Sequence, residues 1–509
     1  MNTNIWRQRS KPAQFVCTIG ILPLLAAGLP SHAADFEEVS ETLASDADPS
    51  GFYGHAVAID GNTAVVGANE HDHGGANTGG AYVVTRKADG TWSQAAELDP
   101  GVRAAEDLFG YSVAISGDTA VIGATDTGDF GVSSGSAYVF VNSGNDDWVM
   151  QKELHAGNAQ INHRFGIASA ISGDTAIVTS SKNSGAFAES GAAYVFVRDA
   201  ANDWSEPIKL EPSDPGFFAH FGSAVAIDGD TAVIGAKDDG QNGFQAGAAY
   251  VFVRDAGGTW SQQAKLMAPV ATVRDQFGAS VAISGDTVVI GAQTADLGGD
   301  ESGSAYIFTR DVNGTWLPPM RFDGVTADQF GASVGLSGTK AIVGAFGRLP
   351  LGAARVFSRD LNGMWSEQAN VLGPQAGISG SLFGFSVAIS GNRAVVGHKF
   401  RNDNLNIGPL IGSAHFFEAA SAEIQIQAVV ANVVSLNLNT GIENSLDGKL
   451  NAALQALDDA NSNNDQAAIN SMIAFKNFVL AQSGNMIDAA DAEELITAAD
   501  EIIALLSSI

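Results

Sequence analysis

Cysteine is all but missing: the 509-residue chain holds one, Cys17. It falls in an N-terminal apolar stretch and lacks the small-residue context of a lipoprotein acylation site. Beyond it the chain has no disulfide framework and no thiol chemistry. Basic charge is scarce too. Lys and Arg total 26 against 56 Asp and Glu, a net charge of −30. Nucleic acid and anionic membrane are poor partners for such a surface, whereas cationic partners or Ca²⁺ are favoured. Long apolar runs are wanting: only Phe15 to Leu29 qualifies, and with Pro23 inside it this is short for a bilayer span. Catalytic signatures are absent as well. No G-x-S-x-G, Walker loop or H-E-x-x-H sequence occurs. His55, His155, His163 and His220 are scattered without a repeated acidic partner.

The N-terminus reads as an export signal. Arg7, Arg9 and Lys11 precede the apolar stretch, and Ser31-His32-Ala33 forms a small-residue cleavage site. Residues 1–33 are therefore expected to be removed, leaving a monomeric periplasmic or secreted protein without a transmembrane segment.

What the chain has is repetition. A Phe-Gly pair recurs at Phe109, Phe165, Phe221, Phe277, Phe330 and Phe383, with Tyr53-Gly54 as a first copy. Each opens a unit like Phe109–Ala124, followed by a loop, an Ala-Tyr-Val-Phe segment and a Trp-led segment. Four strand-like segments per unit of this length predict propeller blades. Period-two alternation from Phe109 to Ile115 marks the first strand, with small residues (Ser112, Ala114) at fixed places that suit a crowded innermost position. Ser116-Gly117-Asp118-Thr119 and its copies read as two-residue hairpins. The fourth strand is expected to carry Trp92, Trp148, Trp204, Trp260, Trp316 or Trp365. The last unit lacks that strand, and Phe36 to Leu43 stands where a fourth strand precedes Tyr53. The N-terminal segment is thus expected to close the ring over 35–418, which removes an open edge.

These residues resemble the FG-GAP repeats of integrin α-subunit propellers and of exported bacterial proteins. Phe109-Gly110 and Gly123-Ala124 carry the likeness, with Thr125 where the family often has Pro. It implies an all-β seven-bladed propeller that binds a protein or polysaccharide. The family's Ca²⁺ loops do not carry over. Here the connection is only Gly117-Asp118 or its equivalent, and Ca²⁺ takes six to eight oxygens from a loop of about a dozen residues.

Beyond about Glu423 the glycines thin out and helical spacing takes over. Ile424–Leu436 is apolar; Ile442, Leu446, Leu450, Ala453 and Leu457 share one face; Ile469, Met472, Ile473 and Val479 form a third stripe; Leu495, Ala499, Ile502 and Leu506 a fourth. Residues 423–509 are expected to form a small all-α bundle that resembles the FIMAH-type module, its stripes forming a core.

Candidate sites are modest. Glu70 with His71-Asp72-His73 is a possible metal group or a solvated glycine-rich loop. Asp126 with Asp129, Asp238 with Asp239, and Asp296 with Asp300 and Glu301 offer weak Ca²⁺ ligands or a soluble loop rim. No other cofactor is expected. The loop between the second and third strands shortens in unit six (Gly344 to Gly352) and lengthens in unit seven (Gly397 to Gly412). Arg348 lies on the first, Lys399 and Arg401 on the second, and Arg355 and His415 replace the third-strand Tyr. Arg348, Lys399 and Arg401 form the expected ligand patch, because binding tends to occupy irregular loops on a regular scaffold. Three functions stay open: a non-catalytic binding or adhesion protein, a glycan- or lipid-active enzyme, and an envelope-associated scaffold.

Overall fold

The computed structural model describes residues 36–46, 51–72, 75–101, 104–128, 131–185, 187–360, 362–372, 382–400, 412–419, 422–436, 438–458 and 464–507. The expected signal, His73, Asp129 and Arg401 lie outside them.

Alternating apolar residues and glycine turns give seven four-stranded antiparallel sheets. In the second blade the strands are Phe109–Ser116, Thr119–Ala124, Ser136–Asn142 and Trp148–Leu154, hydrogen-bonded in chain order. Ser116 pairs with Thr119, so Gly117 and Asp118 alone make the turn, with Gly117 at φ +54°. The seven first strands touch one another in a closed circle, Ala56–Asp60 meeting Phe383–Ser390 at the seam.

The small residues have a definite job at this crowded centre. Ser112 Oγ donates to the Gly166 carbonyl of the next blade at 2.9 Å. Ser280, Ser333 and Ser386 repeat the bond to Gly331, Gly384 and Gly54 at 2.8, 2.9 and 2.8 Å. The two glycines of the repeat meet across the same gap: a Cβ on Gly123 would stand 2.1 Å from the Gly166 carbonyl oxygen. In the third blade Thr179 takes that place, and its hydroxyl donates to Gly222 O at 2.7 Å. In blades two to five the repeat Phe is buried edge-on against the Tyr of its own blade, Phe109 on Tyr138 at 5.6 Å and Phe221 on Tyr250 at 5.5 Å; in blade seven Phe383 meets His415 instead, at 5.3 Å.

At the hairpin end a second circle of bonds runs from blade to blade. The residue before each turn glycine, Ser or Asp, accepts the N–H of the next blade's turn glycine. Asp60 accepts from Gly117 at 2.7 Å, Ser116 from Gly173 and Ser172 from Gly229 at 3.1 Å each, and Asp228 from Gly285 at 2.6 Å. Ser284 accepts from Gly338 at 3.1 Å, Ser337 from Gly391 at 2.9 Å, and Ser390 closes the circle on Gly61 at 3.0 Å. Outside it, Arg198, Arg254 and Arg310 each join an Asp of their own blade (Asp174, Asp230, Asp286) to a Thr of the preceding one (Thr119, Thr175, Thr231). The last blade has Ala419 where these have Arg, and Lys340 of the sixth blade reaches Asn392 directly instead.

The seventh blade borrows its outermost strand. Phe36–Thr42 pairs antiparallel with Ser413–Ala419, from Phe36 opposite Ala419 to Thr42 opposite Ala414. Glu418 then ties blade seven to blade one: Arg86 Nη2 donates to it at 2.9 Å and Trp92 Nε1 at 3.3 Å. Burial is the largest single influence and works against the Glu418 charge, but the Arg86 bond and charge, the Trp92 bond and the Arg393 charge together outweigh it and hold the carboxyl below its usual range.

Two fourth strands depart from expectation. Blade three uses Ile208–Leu210 and blade five Met320–Asp323, while Trp204 and Trp316 make single bridges to Arg198 and Arg310. Pro207 and Pro318-Pro319 remove the N–H groups that a continuous strand from the Trp would need.

Strands end at Ala419, and four helices follow: α1 Ala422–Ser435, α2 Thr440–Asp458, α3 Asn464–Gln482 and α4 Ala489–Ser507. Leu446, Leu450, Ala453, Met472, Val479, Leu495, Ala499, Ile502 and Leu506 form their shared core as the stripes predict. Ile473 does not: it is 40% exposed, and Phe475 takes the inward place on α3. Lys476 of α3 pairs with Asp500 of α4 at 2.6 Å. Among the described residues no helix is long and apolar enough to cross a membrane.

Candidate binding site at the axial mouth

The site begins with a turn that every blade shares. The residue before each aromatic-Gly pair is left-handed: Phe52, Leu108, Arg164, His220, Gln276, Gln329 and Leu382 have φ between +50° and +59°. The glycine follows at about +90°, as at Gly110 (+88°), and the next residue's N–H returns to the left-handed residue's carbonyl. Tyr111 N to Leu108 O is 3.2 Å and Ser223 N to His220 O is 3.0 Å. This turn holds two side chains per blade at the start of the innermost strand, around the axis.

The fourteen positions so defined are chemically divided. Blades three to six carry Arg164, His220, Gln276 and Gln329, all engaged with neighbours. Arg164 pairs with Asp126 at 3.2 Å, Gln293 donates to Gln276 at 2.8 Å, and Gln329 donates to Glu301 at 3.2 Å. His220 is held by Asp238 on Nδ1 at 2.6 Å and Glu189 on Nε2 at 2.9 Å. The Asp238 bond, aided by Glu189, raises the His220 pKa against the opposing effect of burial.

Blades seven, one and two carry aromatic and apolar groups. Phe385 meets His55 at 5.4 Å, His55 meets Tyr111 at 5.0 Å, and Phe346 of the sixth-blade loop joins the row against Phe385 at 5.5 Å. Phe52 lies edge-on to Phe400 at 5.1 Å. Lys399 sits in their midst, its ammonium 4.6 Å from Phe385, 5.2 Å from Phe52 and 5.6 Å from Phe400. All these side chains are half-buried. Burial lowers the Lys399 pKa, and the charge of Glu70 partly restores it.

His55 is the group most altered by this setting. Burial, then the Lys399 charge, pushes its pKa from 6.5 down to about 3, and its Nδ1 finds no hydrogen-bond partner. The folded ring stays neutral while the unfolded ring takes a proton near 6.5. Stability from this source is therefore whole above pH 6.5 and drains away as pH falls toward 3. Urea unfolding at pH 7 and pH 4 is expected to show His55→Phe losing about 3 kcal/mol less than the parent over that interval. Equal losses would remove His55 from the acid response.

Of the sequence-derived patch, Arg348 is half-buried on the shortened sixth-blade loop, and Lys399 turns under three rings instead of standing free as a surface cation. Arg355 and His415 are interior. Arg355 pairs with Glu367 and donates to Asp323 O at 3.0 Å, and His415 meets Glu38 at 2.8 Å and Glu41 at 3.4 Å. The acidic loops are also engaged. Asp239 accepts from Lys265 and Tyr250 at 3.0 and 2.9 Å, Asp296 accepts the Glu301 N–H at 2.8 Å, and Asp72 accepts the Asn77 N–H at 2.7 Å. Among the described residues no group of three or more His, Cys, Asp or Glu is placed to hold a metal ion. Phe52, His55, Tyr111 and Phe385 escaped the sequence reading, although each directly flanks a repeat Gly or its aromatic partner.

The FG-GAP repeat profile matches residues 36–84, 92–140, 148–196, 204–252, 260–308 and 365–417. The chain belongs to the FG-GAP repeat family. Each matched FG-GAP segment starts on an outer strand, or in one case at the Trp204 bridge just before it, and ends in the third strand of the following blade, so the first takes in Phe36–Thr42. The unmatched interval contains the short sixth-blade loop and Arg355. No curated protein matches the chain. Among solved structures it is similar to a putative 6-phosphogluconolactonase from Bacteroides uniformis ATCC 8492, at 12% identity and a TM-score of 0.43, over 70% of this chain and 100% of that one. A likeness at that level carries no argument about activity.

Proposed function

We propose that this FG-GAP protein is an exported, non-catalytic binding protein whose axial mouth holds a saccharide. The observation that carries the reading is the break in seven-fold symmetry, with Phe346, Phe385, His55, Tyr111, Phe52 and Phe400 gathered on one side of the mouth around Lys399. Half-exposed rings offer faces to the C–H side of a sugar, and Glu70, Glu106 and the opposite polar arc offer hydrogen-bond partners at its edge. The core needs none of this, because blades four to six fold with Ser223, Ala279 and Ala332 in the place of those rings. Export rests on the N-terminal signal pattern and the family's usual location. The C-terminal helices, in this reading, are a FIMAH-type appended module.

The test is a glycan array followed by calorimetry on the best binder. Phe385→Ala and Tyr111→Ala are each expected to weaken binding about tenfold while the melting temperature shifts little. Binding unchanged by both would sink the mouth as the site. Chemical turnover of the bound glycan would replace the reading with the enzyme alternative.

A further inference from the structure

The same end of the propeller carries a second apolar feature, outside the mouth. By sheet topology, the loops between second and third strands and the connections from each fourth strand to the next blade all emerge here. On blades two to six their tips carry large apolar side chains that pack into no core. Phe217 is 67% exposed, Phe218 54%, Phe244 63% and Leu349 74%. Ile161 and Phe187 join them, and Phe187 and Phe217 touch at 4.4 Å between ring centres.

These tips are braced. Each loop is bonded to the connection into the next blade: Asn162 N to Val132 O, Phe218 N to Ala188 O and Arg274 N to Phe244 O, all at 2.9 Å. Phe218 is held left-handed at φ +52°, a conformation that costs a bulky residue energy and here yields exposure instead of burial. Water should disfavour such an arc, and apolar patches of this kind on a soluble surface mark interaction sites.

We infer that this crest seats the propeller on a lipid surface with neutral or zwitterionic headgroups. The placement favours a bilayer: the exposed tips lie on separate loops and connections spread over five blades, and a fluid surface accepts them at any spacing, whereas a protein partner needs a matching pit for each. The charge selects the lipid. The chain carries −30, and Asp300 and Glu301 are exposed on the crest's own loops, so anionic headgroups are repelled. A second copy of the chain would meet the same repulsion. The inference uses residues apart from the mouth and stands whether or not the mouth binds sugar.

Flotation of the chain without its expected signal, residues 34–509, with phosphatidylcholine–phosphatidylethanolamine vesicles tests it. The parent is expected to float, and less so when phosphatidylglycerol is added. Phe217→Ser, Phe218→Asn and Phe244→Ser together are expected to cut partitioning about tenfold per residue, from partial insertion of each ring. Phe385→Ala at the mouth is expected to leave flotation unchanged. Since residues 36–509 contain no cysteine, Phe244→Cys labelled with an environment-sensitive dye gives a readout independent of the triple variant's folding, and its emission is expected to shift blue on vesicles. A parent that stays at the bottom at every lipid concentration, or an unshifted dye, overturns the inference. So does self-association of the parent that the triple variant abolishes without any vesicle binding, which would assign the crest to a second copy.

Discussion

Removing Phe36–Thr42 is expected to abolish the cooperatively folded propeller. The strand is the outer member of blade seven and the sole link in that sheet between the chain's two ends. Without it Phe416, Phe417 and His415, all buried, lose their cover, and an unpaired edge of Ser413–Ala419 faces water. Such an edge recruits other chains. Blade one suffers too, because Trp92 stacks on Phe416 at 4.5 Å and depends on Glu418 staying in place. The combined loss of several backbone bonds and this apolar cover is comparable with the whole stability of a domain, about 5–15 kcal/mol. Size-exclusion chromatography and thermal scans of the truncated chain are expected to show aggregates and no sharp transition. Adding a peptide of residues 35–46 is expected to recover part of the monomer by strand addition. An unaltered melting curve for the truncated protein would mean that the circle holds without its borrowed strand.

The second large effect comes from one methyl group. Gly110 has φ +88°, and a Cβ there would lie 2.0 Å from the Gly80 carbonyl oxygen and 3.2 Å from Ala68 N. Backbone atoms cannot step aside as a flexible side chain does, so Gly110→Ala forces blades one and two apart. Its expected cost is about 4 kcal/mol or more. Gly117→Ala is the matched control. It also has positive φ, at +54°, but nothing lies within 4 Å of the added carbon. Only the left-handed penalty of about 1–2 kcal/mol should remain. Urea midpoints of the two variants separate steric exclusion from backbone preference. Similar midpoints would show that the blades can spread at no great cost.

The sequence states the architecture because the architecture is periodic. Strand number, turn positions and the borrowed ribbon are all readable from the spacing of Phe-Gly pairs and the position of Phe36 to Leu43. Ser and Asp before the turn glycines were legible only as turn formers. Their bond to the next blade's N–H spans 54 to 57 residues, and 329 where Ser390 closes the circle on Gly61, and the two residue types interchange because the contact asks only for an oxygen. The short fourth strands of blades three and five follow from Pro207 and Pro318-Pro319, which the regular spacing of the tryptophans masks. The mouth was hidden for another reason. Lys399 sits beside Phe400 in the chain, but Phe52 comes from the opposite end of the propeller sequence and Phe385 from the first strand of blade seven, so no local window assembles the group. The loop carboxylates likewise look available in the sequence, yet many already serve N–H groups, His220 or Lys265.

The borrowed strand also sets the order of events at birth. Phe36–Thr42 leaves the ribosome before every blade, and its partner Ser413–Ala419 is made 371 or more residues later, as the separation of 372 between Thr42 and Ala414 records. Until then blade seven lacks an edge and blade one lacks a flank. The final lock is thus a contact between the oldest and youngest parts of the propeller, and a ribosome-bound chain remains open, threadable and exposed to chaperones until its last sheet emerges.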